Sequence, residues 1–222
     1  MPITSSEDPK FKVYAKHVLD WEGSMGDDPR DSASKCTAGL SPIFKRGRAG
    51  RPIHTVKGVT WCTFKSIGPR LGVLPTTHKR FVEMTEDDAR KFIFYTYSNY
   101  PWSKLPDPIA IAMTETAWLS GPGRPYPTAV DTLKALNVST LPQKGLKFTA
   151  ADKQQIIADI KKVNANVFFN KYNQIRTNWL TALGNTAYGA PFKRGWLNRQ
   201  NGFLKLQDQL LVTPSPFFFY LF

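Results

Sequence analysis

The sequence predicts a mainly α fold with one loop-rich lobe near its front. Three observations carry this. Apolar residues recur at helical spacing over several long stretches. Most of those stretches open on a capping residue, and several stop at a glycine. Residues 24–80 break the pattern with Gly, Pro, Ser and charge.

Asp8-Pro9 reads as an N-cap followed by a first helical proline, whose missing N–H costs nothing there. Phe11, Tyr14, Ala15, Val18 and Leu19 follow on one face, and Gly23 is the stop. A second helix is expected from Thr85 to about Tyr97, with Asp88 placed as the acid of a capping box. Asp107-Pro108 opens a third, with Ile109, Ala112, Met113 and Ala117 on one face and Gly121 at its end. Residues 128–136 read as a fourth. Thr149, with Asp152 three residues on, opens a run to Leu183, as one helix or two. Its apolar positions are Ile156, Ile160, Val163, Val167, Ile175 and Trp179. Residues 195–210 hold a last helix. Within 24–80 the runs His54-Thr55-Val56 and Val59-Thr60-Trp61 allow at most a small sheet. The expected domains are 1–142 and a helical C-terminal region, 143–222.

The composition narrows the classes of function. Of 222 residues, 41% are hydrophobic and 21% charged, which fits a globular chain rather than a disordered one. A net charge of +13 points to a polyanionic partner: nucleic acid, an anionic membrane surface or a cell wall. No helix-turn-helix, zinc-finger or RNA-binding signature is present, so no dedicated nucleic-acid site is expected. Two cysteines and three histidines exclude a Cys-rich zinc site, and no cofactor or metal is expected. Cys36 and Cys62 read either as a disulfide or as two buried thiols. No segment approaches the roughly 20 apolar residues of a membrane span, and residues 1–12 carry no apolar signal-peptide core. The basic run Lys45 to Arg51 reads as a contact for anionic polymer or as a solvated insertion. The aromatic run Phe217 to Phe222 reads as docking on its own core or as a contact for another protein.

One residue of the first helix stands out. On a wheel of about 100° per residue, Glu22 falls within about 20° of Phe11. A carboxylate on the apolar stripe loses hydration, and the helix C-terminus presents the negative end of its dipole. Both effects favour the protonated form, which a glycosidase needs in its general acid. If the helix ends earlier, Glu22 instead points to water. Asp27, Asp28 and Asp31 follow in an Asp-Pro loop that can turn back towards it. Asp27 reads as turn chemistry. Inverting glycosidases set two carboxyls roughly 6.5–9.5 Å apart, a span nine residues reach easily.

The segment Val18 to Gly23, ending Trp21-Glu22-Gly23, resembles the Glu-Gly-Gly signature of glycoside hydrolase family 108. That family comprises muramidases, many of them phage endolysins. Its Asp-Pro-x-Asp loop is matched by Asp28-Pro29-Arg30-Asp31, and its Gly-(Ile/Val)-Thr element by Gly58-Val59-Thr60. Phe192 to Arg199 resembles the Gly-Trp-Leu-x-Arg pattern of an attached peptidoglycan-binding region. The chain departs from the pattern at Ser24, at Ser32-Ala33-Ser34-Lys35, at Leu119 and in about twenty extra residues between Thr37 and Thr55. The resemblance implies a lysozyme-like fold and cleavage of the bond between N-acetylmuramic acid and N-acetylglucosamine. It implies Glu22 as general acid, Asp31 as the residue that handles water, and Thr60 as its helper. Asp28 is the other candidate to face Glu22. Trp61, beside Gly58-Val59-Thr60, is expected to line the cleft, and Trp196 is either a wall contact or a core anchor. The implied setting is a phage virion, or a host cytoplasm before lysis, with peptidoglycan as partner and the aromatic tail as a possible contact to a phage structural protein. The rival expectations are a lytic transglycosylase using Glu22 alone and a non-catalytic wall-docking or particle protein.

Overall fold

The computed structural model describes residues 3–23, 25–37, 51–139 and 141–206. Ser24, all of the basic run Lys45 to Arg51 except its last residue, and the aromatic tail Phe217 to Phe222 lie outside the described residues. The fold is mainly α, with a small antiparallel sheet in a loop-rich front lobe.

The front unit, Thr4–Ser98, begins with α1 (Pro9–Glu22). Asp8 caps it, its side chain accepting from the Lys10 N–H at 2.9 Å. Phe11, Tyr14, Ala15 and Val18 are buried as expected, and Phe11 sits edge-on to Phe94 and Tyr97 of α4 (Glu86–Ser98). The capping box of α4 is formed: Thr85 Oγ1 accepts from Asp88 N–H at 3.1 Å, and Asp88 Oδ2 accepts from Thr85 N–H at 3.0 Å. The sheet runs in the order β1 (Met25–Gly26), β2 (Thr55–Val56), β3 (Val59–Thr60). Met25 pairs with Val56, and Val56 with Val59.

The 24–80 stretch is more helical than expected. It holds a 3₁₀ turn, Ser32–Thr37, and the helix α2 (Trp61–Ile67), and α3 (His78–Val82) starts inside it. Each short helix has a threonine cap: Thr60 accepts from Thr63 N–H and Thr77 from Arg80 N–H, both at 3.2 Å. Each also buries aromatic surface, Trp61 and Phe64 from one and Phe81 from the other. Caps and a shared core thus form helices too short to show a period in sequence.

The second unit comprises Ile3 with residues 99–206. Its central helix α5 (Asp107–Ser120) is buried all round from Ile109 to Ala117. Around it lie α6 (Pro125–Ala135), α7 (Ala150–Ile160), α8 (Ala165–Gly184) and α9 (Lys193–Lys205). The two compact units divide at Ser98–Asn99, and within the second α5 and α6 both pack on α8. The long run from Thr149 is two helices. Its capping box forms at Thr149 and Asp152, and Asn164 caps the second half. The buried face of α8 is Phe168, Phe169, Tyr172, Arg176 and Leu180, while Val167 is exposed. The larger aromatic rings win the core over the β-branched positions read from the sequence.

Inside this unit Glu115 is fully buried. Arg199 grips it with two bonds, Nε to Oε1 at 2.6 Å and Nη2 to Oε2 at 3.0 Å, and Arg176 Nη2 adds a third at 3.3 Å. The arginine of the Gly-Trp-Leu-x-Arg pattern is thus an internal ion-pair partner.

Candidate active site

Glu22 ends α1, and Gly23 leaves the helix at φ 64°. The Glu22 side chain is half-buried. What lies against it is the turn between β2 and β3. Lys57 and Gly58 both have positive φ, 48° and 79°. That is the signature of a two-residue type I′ hairpin turn, in which the second position favours glycine. A Cβ on Gly58 would lie 2.6 Å from Glu22 Cδ and 2.8 Å from Oε2. The carboxylate therefore rests directly on the glycine backbone, and Gly58 is required twice, by its φ and by its missing side chain.

The hairpin is tied to its neighbours through His54. This ring is buried; its Nδ1 lies 2.8 Å from Thr55 Oγ1 and its Nε2 3.1 Å from the Asp28 carbonyl. Its main chain bridges β1 and α2, through His54 N–H to Gly26 O at 2.9 Å and Trp61 N–H to His54 O at 2.8 Å. The structure thus joins the Asp28–Asp31 loop to β2. Cys36 and Cys62 form a disulfide, with Cα atoms 5.3 Å apart, which ties the 3₁₀ turn after that loop to α2. Of the two readings of these cysteines, the bonded one holds.

The two aspartates have different local duties. Asp28 accepts from three donors of Arg30: Nη2 to Oδ2 at 2.6 Å, the backbone N–H to Oδ1 at 2.9 Å, and Nε to Oδ1 at 3.0 Å and Oδ2 at 3.2 Å. The guanidinium, then the backbone N–H, bring its carboxyl down to about 2. Asp31 Oδ1 accepts from Ala33 N–H at 2.9 Å and so opens the 3₁₀ turn Ser32–Thr37. Thr60 is the cap of α2, with its Oγ1 3.0 Å from Thr63 Oγ1.

Trp61 does not line a cleft. It is 4% exposed, with ring centroids 5.4 Å from both His78 and Phe81 and 5.8 Å from Phe64. Side chains already occupy the surface a sugar would need. Trp196 lies in the second unit, half-buried and stacked on Phe192 at 5.6 Å. The sequence reading missed His54, whose neighbours in sequence gave no sign of its partner 26 residues away. Among the described residues no group of three His, Cys, Asp or Glu is placed to hold a metal ion, and no helix is long and apolar enough to cross a membrane.

The chain is similar in structure to SagA of Brucella abortus. The TM-score is 0.55 and the identity 20%, over 90% of this chain and 94% of the other. The likeness shows the fold alone, which is mainly α with a small three-stranded sheet in its front unit. No protein-family profile and no curated protein matches the chain. The geometry joins a half-buried carboxylate at a helix end to a glycine turn, beside a loop clamped by a histidine and a disulfide.

Proposed function

We propose that the chain cleaves peptidoglycan at the β-1,4 bond between N-acetylmuramic acid and N-acetylglucosamine, with Glu22 as general acid. The observation that carries this is the seating of the Glu22 carboxylate on the Gly58 backbone, where the family resemblance puts the acid beside the Gly-Val-Thr element. Glu22 protonates the glycosidic oxygen as the bond breaks. In the same step Asp31 serves as the base that takes a proton from the water attacking the opposite face of the sugar, an inverting arrangement. Asp31 is preferred to Asp28 for this task. Arg30 holds the Asp28 carboxyl near 2 and donates to both its oxygens, which makes it a poor acceptor. Thr60, one strand residue on from Val59, assists in placing the water. The +13 charge concentrates the chain on an anionic wall.

A second reading is favoured by one observation. Asp28 is tied to Arg30 and Asp31 caps a 3₁₀ turn, so Glu22 acting alone gives a lytic transglycosylase. The phage setting, and a wall-docking role without catalysis, rest on the family resemblance and its departures. The test is Glu22→Gln. It keeps the fold and lowers turnover of purified peptidoglycan by about 10²–10⁴-fold, the usual worth of a general acid. Turnover at the wild-type rate in that variant would sink the proposal.

A further inference from the structure

The chain has six tryptophans, of which two are buried and three half-buried. Trp102 is fully buried and donates to Thr114 Oγ1 at 3.1 Å. Trp61 is in the front core. Trp179 lies under the Arg124 guanidinium at 3.9 Å, Trp196 stacks on Phe192, and Trp118 is half-buried. Trp21 alone is in the open, 42% exposed on the last turn of α1. An isolated exposed apolar side chain is ordinary on a protein surface. What sets Trp21 apart is its place: it directly precedes Glu22, and Met25, 46% exposed, follows three residues after Glu22. Its ring is steadied from within the helix by His17, one turn back, with centroids 6.4 Å apart.

We infer that Trp21 is the stacking surface for the glycan, packing its indole against the apolar face of the N-acetylhexosamine ring next to the bond that Glu22 protonates. This rests on the Glu22 reading and moves the sugar-facing tryptophan from Trp61 to Trp21. An indole suits the role. It offers a broad rigid face at small entropic cost, and its N–H can bond a sugar hydroxyl or acetamido oxygen. Stacking also fixes the ring relative to the acid, which is how binding energy becomes rate.

The test uses the full chain and a soluble tetramer of β-1,4-linked N-acetylglucosamine as the probe. Calorimetric titration is run on Glu22→Gln, which holds the probe without cutting it, and on Glu22→Gln with Trp21→Ala or Trp21→Phe. The expected result is binding to Glu22→Gln, a loss on the order of tenfold with Trp21→Ala, and partial recovery with Trp21→Phe. Unfolding temperatures equal to wild type establish that the exposed position is not needed for the fold. An unchanged Kd with Trp21→Ala overturns the inference, as does absence of binding to Glu22→Gln. Release of fragments from peptidoglycan by the wild-type chain separates the two readings. Release with an unchanged Kd in Trp21→Ala removes the stacking and leaves Glu22 as acid. Binding that depends on Trp21 without any release keeps the stacking and removes the acid.

Discussion

The two units each hold a glutamate in a helix, and the two stand in opposite settings. Glu22 ends α1, half-buried, with a glycine turn against it. Glu115 sits mid-helix in α5, fully buried, with Arg199 and Arg176 on its oxygens. A carboxylate gripped by two buried guanidiniums is a fastener, because its lone pairs are spoken for. Glu22 sits instead at a helix end, against the backbone of a hairpin turn. Position in the helix, more than residue type, sets the two glutamates apart.

The comparison can be broken at several points. The largest effect on stability is expected from Glu115→Ala. It strands two buried arginines and costs about 3–5 kcal/mol, as removal of one member of a buried ion pair does. Thermal unfolding would show it, and a change below about 1 kcal/mol would mean the triad is not the fastener described. Next comes the disulfide. Cys36→Ser with Cys62→Ser opens a loop with a sequence separation of 26 and costs about 3 kcal/mol in the chain-entropy model. The accompanying loosening is expected in residues 27–37 and should appear as faster amide exchange there.

Gly58→Ala probes the front acid directly, with Gly72→Ala as its control. Both glycines have positive φ, 79° and 69°, and both variants pay about 1–2 kcal/mol of backbone strain. Only at Gly58 does the new methyl meet Glu22, whereas nothing lies within 4 Å at Gly72. Turnover should therefore fall in Gly58→Ala, by roughly 10²-fold if the carboxylate is displaced by about 1 Å, and hold in Gly72→Ala. Equal losses in the two would dissolve the link between Gly58 and Glu22.

The smallest effect concerns Asp28. Its carboxyl is depressed from 3.8 to about 2 by Arg30, so the pair contributes stability above the ordinary value. That contribution fades as the pH falls from about 4 through 2. Carboxyl-carbon NMR titration of Arg30→Gln should return Asp28 towards the ordinary range. A midpoint still near 2 in that variant would point to another cause.

Much of the fold was legible because its signals are local. Asp8-Pro9, the Thr85–Asp88 box and the Thr149–Asp152 box each act within one turn, and each is formed. The helices α2 and α3 were illegible because they owe their existence to Trp61, Phe64 and Phe81 sharing a core. That same core explains the misplacement of Trp61. A tryptophan beside a motif reads alike whether it faces sugar or phenylalanine. Glu115 was not singled out in the sequence, and its partner Arg199 is 84 residues away. Of the site, Glu22 and Gly58-Val59-Thr60 could be read as separate pieces, and their contact could not. It depends on a hairpin turn folding back onto the end of a helix.

The most direct test is digestion of purified peptidoglycan by the full chain, with the released fragments identified by mass spectrometry. The account predicts soluble fragments with new reducing ends at muramic acid, absent when Glu22→Gln replaces the wild type. Anhydro-muramic ends would keep Glu22 as the acid and remove Asp31 as the base. No release at all would contradict the account.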